Sequence, residues 1–173
     1  NGTSPTTGSR NLFVDSGSSL ANLKVTADKP VNFTDLTGYS NPQKIALLKF
    51  MGFSVPANSV IADATALTTT RDKGLKNIGA VLHSVPQLIT QKVQVDADGR
   101  FNTSSREDYL LYGSMDGALH MIDDSTGKET FTFVPKQVLE LQPDALANKG
   151  SAADGSYPYG VDAPWLTYVS YDT

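Results

Sequence analysis

Apolar and polar positions follow a helical period most clearly in one place, between Ser40 and Gly52. There Ile45, Leu47, Leu48, Phe50 and Met51 supply an apolar stripe, Ser40 or Asn41 can cap the start, Pro42 fits the first turn and Gly52 ends it. The pattern predicts a short helix near residues 42–51, with its stripe packed on its own domain rather than offered to a partner. Upstream, residues 11–15 and 20–25 are short apolar segments separated by Ser16, Gly17, Ser18 and Ser19, which reads as two short strands and a turn. Residues 1–10 hold Gly, Ser, Thr, Pro and Asn with one Arg, a flexible lead-in that cannot bury enough apolar surface to offset its ordering entropy. Residues 54–77 read as a connector.

From residue 78 the pattern becomes β. Val81, Val85, Leu88 and Ile89 form an apolar run broken at Pro86, and residues 92–96 alternate with the period of a half-buried strand. Residues 109–112, 118–123 and 129–135 then predict a three-stranded antiparallel meander. Its turns are marked by Asp116-Gly117 and by residues 124–128, and Pro135 halts it. Residues 136–141 can make a short helical turn, residues 148–156 a polar loop, and residues 164–171 a terminal strand reached through residues 157–162. The chain therefore divides into a lead-in and helix-bearing segment, 1–77, and a β segment, 78–173.

Composition narrows the function classes. Charged residues are 18% of the chain and hydrophobic residues 39%, both below the usual soluble share, which suits a β-rich surface protein. Fourteen Lys and Arg against eighteen Asp and Glu leave a net charge of −4, with no basic block to neutralise a run of phosphates, so nucleic acid is not an expected partner. The absence of cysteine excludes disulfides and cysteine-ligated zinc or iron–sulfur sites. The longest apolar stretch falls well short of the ~18 residues of a membrane helix. The first residues carry neither an initiator Met nor a signal pattern, and the last stretch reads as a strand, so the expectation is a piece of a longer or processed polypeptide.

Candidate chemistry is sparse. In residues 96–102, Asp96 and Asp98 alternate as a calcium loop would require, but Gly99 stands fourth rather than sixth, Glu107 is twelfth and Arg100 intrudes. A solvated hairpin turn is the favoured reading. His83 and His120 are the only histidines, both in apolar surroundings, and read as packed, hydrogen-bonded side chains. His83-Ser84 invites a nucleophile reading, yet no Gly-x-Ser-x-Gly elbow surrounds Ser84. Tyr109, Tyr112, Phe131, Phe133, Tyr157, Tyr159, Trp165, Tyr168 and Tyr171 suit core filling better than a sugar- or protein-binding face. No residue is assigned as catalytic, cofactor-binding or metal-ligating.

Strand, Gly-x-x-Asp-Gly turn, strand, Thr-Gly turn, strand is the grammar of a propeller blade and resembles quinoprotein-like sheets. The wording Tyr112-Gly113-Ser114-Met115-Asp116-Gly117-Ala118-Leu119-His120-Met121-Ile122-Asp123, then Thr126-Gly127-Lys128-Glu129 and Phe133-Val134-Pro135, is the specific part. With residues 79–86 upstream and Tyr159-Gly160-Val161-Asp162 downstream, it resembles the C-terminal domain of the PilY/PilC family of type IV pilus tip proteins. The resemblance covers residues 71–173, and only loosely the helix-bearing segment.

It implies a mainly β fold, a partial β-propeller of antiparallel meanders, since the chain is too short for seven blades of about forty residues each. It also implies an extracellular module at the pilus tip, exported through the periplasm and outer membrane. Such a module is not an enzyme; it supports pilus biogenesis, retraction and twitching motility, and adhesion to host or abiotic surfaces, with minor pilins as partners. The family's acidic, EF-hand-like calcium loop lies in a later blade and has no match here, so no cofactor is assigned. Two alternatives stand beside it: a quinone-dependent dehydrogenase-like propeller, which needs a complete funnel, and a structural scaffold. A partial propeller would also leave strand edges open to self-association, or mark a piece trimmed from a complete one.

Overall fold

A computed structural model describes residues 11–23, 25–26, 29–30, 36, 38–53, 55–56, 60–61, 79–146 and 160–170. The fold is mainly β. Six strands, β1 (Leu12–Asp15), β2 (Leu20–Leu23), β5 (Gln87–Val95), β6 (Phe101–Gly113), β7 (Leu119–Asp123) and β8 (Glu129–Val134), form one open mixed sheet in the order β2-β1-β8-β7-β6-β5. The strands β5 to β8 run as a continuous antiparallel meander, and β1 joins it in parallel along β8. A separate two-stranded ladder pairs β3 (Val25–Thr26) with β4 (Lys29–Pro30).

The expected helix is α1, Asn41–Phe50. The Gln43 carboxamide oxygen accepts the Ser40 backbone N–H at 2.7 Å and the Ser40 hydroxyl at 2.9 Å, and the Gln43 amide donates to the Leu139 carbonyl at 3.0 Å. That side chain therefore starts one helix and ties it to the next, α2 (Lys136–Leu141), which is followed by α3 (Pro143–Leu146). Gly52, at φ 92°, ends α1: its N–H bonds to Lys49 O and that of Phe53 to Leu48 O, closing the helix with a left-handed glycine.

One hydrophobic core joins the segments on either side of residue 77. It includes Leu12 and Val14 of β1, Ala21 and Leu23 of β2, Val134 of β8, Ile45, Leu47, Leu48 and Phe50 of α1, and Leu139 and Leu146 of α2 and α3. Strand register sets the covered face, because directly paired residues share a side: Leu23, Leu12, Thr132, His120 and Tyr112 form one row across five strands. The opposite face is also apolar. There Phe13, Phe133 and Leu119 form one row and Phe131, Met121 and Leu111 the next, all partly exposed, with Phe13 and Phe131 meeting edge to face at 6.0 Å.

Three expectations need correction. The stretch expected as a terminal strand carries no strand pairing over residues 164–170, and Leu166 and Tyr168 are 99% and 93% exposed. The strand that this segment lies against, β6, offers it no edge, because β6 is already flanked by β5 and β7. Strand β5 is not half-buried but an exposed edge, with Leu88 and Val95 in solvent. Strand β6 begins at Phe101 rather than at Tyr109: residues 101–108 are mostly polar, and cross-strand hydrogen bonding to β5 holds them where apolar periodicity gives no signal. The lead-in at residues 1–10, the polar loop at 148–156 and most of the connector lie outside the described residues.

Candidate functional site

The hairpin between β6 and β7 is closed by Gly117, whose φ of 97° few residues other than glycine adopt, and by the Ser114 N–H bonded to Ala118 O at 3.0 Å. This turn buries a group of polar side chains. His120 has no exposed surface; its ring stacks on Tyr112 at 5.1 Å and meets Phe50 of α1 at 6.3 Å. Nδ1 lies 3.1 Å from Glu129 Oε2 and Nε2 lies 3.1 Å from Ser114 Oγ. The Ser114 hydroxyl in turn donates toward the Ala118 carbonyl and the Asp116 carboxylate, while Asp116 Oδ2 accepts the Gly79 N–H at 2.9 Å.

These contacts define the charge state. Burial pushes the His120 imidazole down, but the carboxylates of Asp116 and Glu129 outweigh it and hold the ring above the ordinary histidine range. Burial likewise pushes Asp116 up, and His120, the Ser114 hydroxyl and the Gly79 amide pull it below the usual carboxylate value. When the ring is protonated both nitrogens donate, Nδ1 to Glu129 and Nε2 to Ser114. At 4.0 Å, Asp116 is too far from Nε2 for a direct hydrogen bond and is reached through Ser114.

Serine, histidine and an acid in series have the connectivity of a nucleophile relay. The burial is wrong for it. Ser114 and His120 are both fully covered, and the serine proton is already engaged by a carbonyl and a carboxylate. A ring whose carboxylate neighbours favour its protonated form is poorly suited to act as the base that a serine nucleophile needs. What the arrangement does is hold backbone together.

A second carboxylate completes the junction. Asp162, with a fully buried side chain, accepts three successive backbone amides: Leu82 at 3.1 Å, His83 at 3.0 Å and Ser84 at 2.8 Å, together with His83 Nδ1 at 3.1 Å. Burial alone would raise its pKa, and the amides of Ser84, His83 and Leu82 lower it instead. Ser84 Oγ accepts the Gly113 N–H at 2.9 Å, Met115 N–H bonds to Ala80 O at 2.9 Å, and Val161 N–H bonds to Ser114 O at 3.2 Å. Three chain segments, 79–84, 113–118 and 160–163, thus meet through donors and acceptors that would otherwise be buried unpaired.

The sequence candidates fall into place unevenly. His120 is the packed histidine expected. His83 instead lies in a loop with its side chain 58% exposed, and Ser84 serves as a backbone acceptor. Residues 96–100 form the hairpin turn between β5 and β6, with Asp96 Oδ1 accepting the amides of Asp98 and Arg100, while Glu107 pairs with Lys92 at 3.0 Å on the surface. Tyr112 packs on His120, Tyr109, Phe131 and Phe133 are partly buried, and Tyr157, Tyr159 and Tyr171 lie outside the described residues. Trp165 Nε1 bonds to Val161 O at 3.3 Å.

Sequence reasoning did not single out Ser114, Asp116, Glu129 or Asp162 as a network. The spacing Ser-x-Asp-Gly-x-x-His is the one local signal that could have pointed to two of them, Ser114 and Asp116, beside His120. Asp162 has none, since its amide partners lie about 80 residues away in the chain.

The junction depends on Gly113. A Cβ there would stand 2.1 Å from Val161 O and 2.7 Å from Trp165 Nε1. Gly113→Ala is therefore expected to push the 160–165 segment off the sheet at a cost of about 1–3 kcal/mol. The chain's single tryptophan reports this directly: its fluorescence should shift to the red while the far-ultraviolet dichroism of the sheet persists. An unchanged emission maximum would show that the segment is not held there.

No protein-family model, curated protein or solved structure matches this chain.

Proposed function

We propose that this chain is blade-bearing β structure from a non-enzymatic surface module of the pilus-tip type, a partial propeller that supports pilus biogenesis and adhesion. The observation that carries the reading is the convergence of three stretches far apart in sequence: residues 79–86, the Gly113–Ala118 turn and residues 160–162 meet at one junction. These are the stretches on which the resemblance to the PilY/PilC family rests. The meander of β5 to β8 has the strand count of one blade, extended by β1 and β2 beyond β8, and the sheet face that the helices leave open is apolar, as a face against a neighbouring blade requires. The surroundings of this module are extracellular and its partners are minor pilins and a host or abiotic surface. Among the described residues no helix is long and apolar enough to cross a membrane.

The test is binding against turnover. Purified protein is expected to bind immobilised minor pilins or host-cell matrix and to leave a redox dye unreduced when quinone and calcium are added. Absence of binding to both surfaces would overturn the adhesive reading, and dye reduction would favour a quinone-dependent enzyme instead. The open edge at β5 adds a second expectation, self-association by strand addition, which light scattering would contradict by finding a monomer at the mass of the chain.

A further inference from the structure

The His120 cluster does more than fill space, because its charged groups sit between the sheet and the two segments that dock on it. We propose that the cluster is a proton-operated latch: with the imidazole protonated it holds residues 79–84 and 160–163 against the β6–β7 turn, and loss of that proton releases them.

Every element packed on the ring contributes to the argument. Strand β6 presents the Tyr112 ring, the turn presents Ser114 and Asp116, β8 presents Glu129 with Thr132 as register neighbour, and α1 presents the phenyl ring of Phe50. Thr132 is buried with its hydroxyl unpartnered and adds no charge. Among the described residues, the charged set at the ring is therefore one imidazole, which the carboxylates favour in its protonated form, and two carboxylates.

When Nε2 loses its proton it becomes an acceptor, and the group placed to donate to it is the Ser114 hydroxyl at 3.1 Å. That hydroxyl has a single proton, so donation to Nε2 withdraws it from Asp116 and from the Ala118 carbonyl. Asp116 then faces a neutral ring, keeps only the Gly79 amide, and is a buried carboxylate without its compensating charge. Water must enter to solvate it. The same turn receives the amide of Val161 through Ser114 O and donates that of Met115 to Ala80, so loosening it frees both docked segments.

The direction follows from the shifts. His120 lies above its unfolded value, so its contribution is complete below an ordinary histidine pKa and lost as pH rises through the folded one. Asp116 lies below its unfolded value, so its contribution is lost only as pH falls through its own folded pKa. The latch is closed between these two limits and opens on the alkaline side by loss of one proton.

Amide hydrogen exchange on the intact chain, followed by NMR from about pH 6 to about pH 10 and corrected for intrinsic rates, tests this. Protection of the Gly79 and Val161 amides should fall by up to about tenfold per pH unit between an ordinary histidine pKa and the raised pKa of the closed state, and level off once the closed-state ring has lost its proton. Amides of the β7–β8 ladder serve as reference and should hold their protection. Ser114→Ala, which removes the relay but leaves both charges, should abolish the linked fall at Gly79. Protection that stays flat from an ordinary histidine pKa up to the midpoint of the ring's own titration, or a ring already neutral at about pH 6, overturns the proposal. If the variant does not fold, the wild-type titration alone decides.

Discussion

Phe50→Ala is expected to remove about 3–5 kcal/mol of stability, a large part of what a domain of this size holds. Phe50 is 1% exposed, in the last turn of α1, with Leu47 and Leu48 beside it in the core and the His120 ring 6.3 Å away. Truncation leaves a cavity that the capped helix cannot collapse into, because the Gly52 closure at one end and Gln43 at the other hold α1 in place. Chemical denaturation would measure the loss as a lower midpoint with an unchanged slope. A midpoint shift worth less than about 1 kcal/mol would mean that α1 is not seated on the sheet in this way.

Asp116→Ala is expected to cost about as much, roughly 3–5 kcal/mol, for a different reason. The aspartate is 7% exposed and compensates the buried His120, and its loss strands the Gly79 amide and leaves the Ser114 hydroxyl one acceptor fewer. Asp116→Asn keeps an acceptor for Gly79 and should lose less. The exposed pair Lys92 and Glu107 is the internal control: at 3.0 Å it is as close as the buried contacts, yet water screens it, and Glu107→Ala should cost under about 1 kcal/mol. Equal effects from Asp116 and Glu107 would contradict the role of burial at the junction.

Local chemistry made several elements readable. The helix at 41–50 needed a cap, a proline in its first turn, an apolar stripe and a terminating glycine, all within thirteen residues, and each acts in the structure as it does in short peptides. The β1–β2 and β7–β8 turns were legible for the same reason: Ser16 bonds to Ser19, and Asp123 Oδ1 accepts the Thr126 amide at 2.9 Å, both from adjacent sequence. Strand β6 was read short because residues 102–108 bury almost nothing and are held by cross-strand hydrogen bonds to β5, which carry no compositional mark. The stretch at 164–170 was misread in the opposite sense. Alternation there is a property of side chains, and pairing also requires a free edge next to it.

The polar junction was half legible. His120 in an apolar strand pointed to a packed, hydrogen-bonded ring, and Asp116-Gly117 pointed to a turn. That Asp116 would also bind Gly79, and that Asp162 would gather the amides of residues 82–84, depends on contacts across roughly 37 and 80 positions.

Nearest neighbours along the chain decide the capped helix α1, the glycine and aspartate turns, the meander from Tyr109 to Val134, and the lack of any cysteine chemistry. Distant contacts set the rest: β1 lies parallel to β8, one apolar sheet face is covered by helices while the other stays partly open, Ser114, Asp116 and Glu129 close on His120, and Asp162 gathers the amides of residues 82–84. Caps and turns are settled by hydrogen bonds within a few residues. Strand order and buried charge are settled by which distant groups must be paired once water has left.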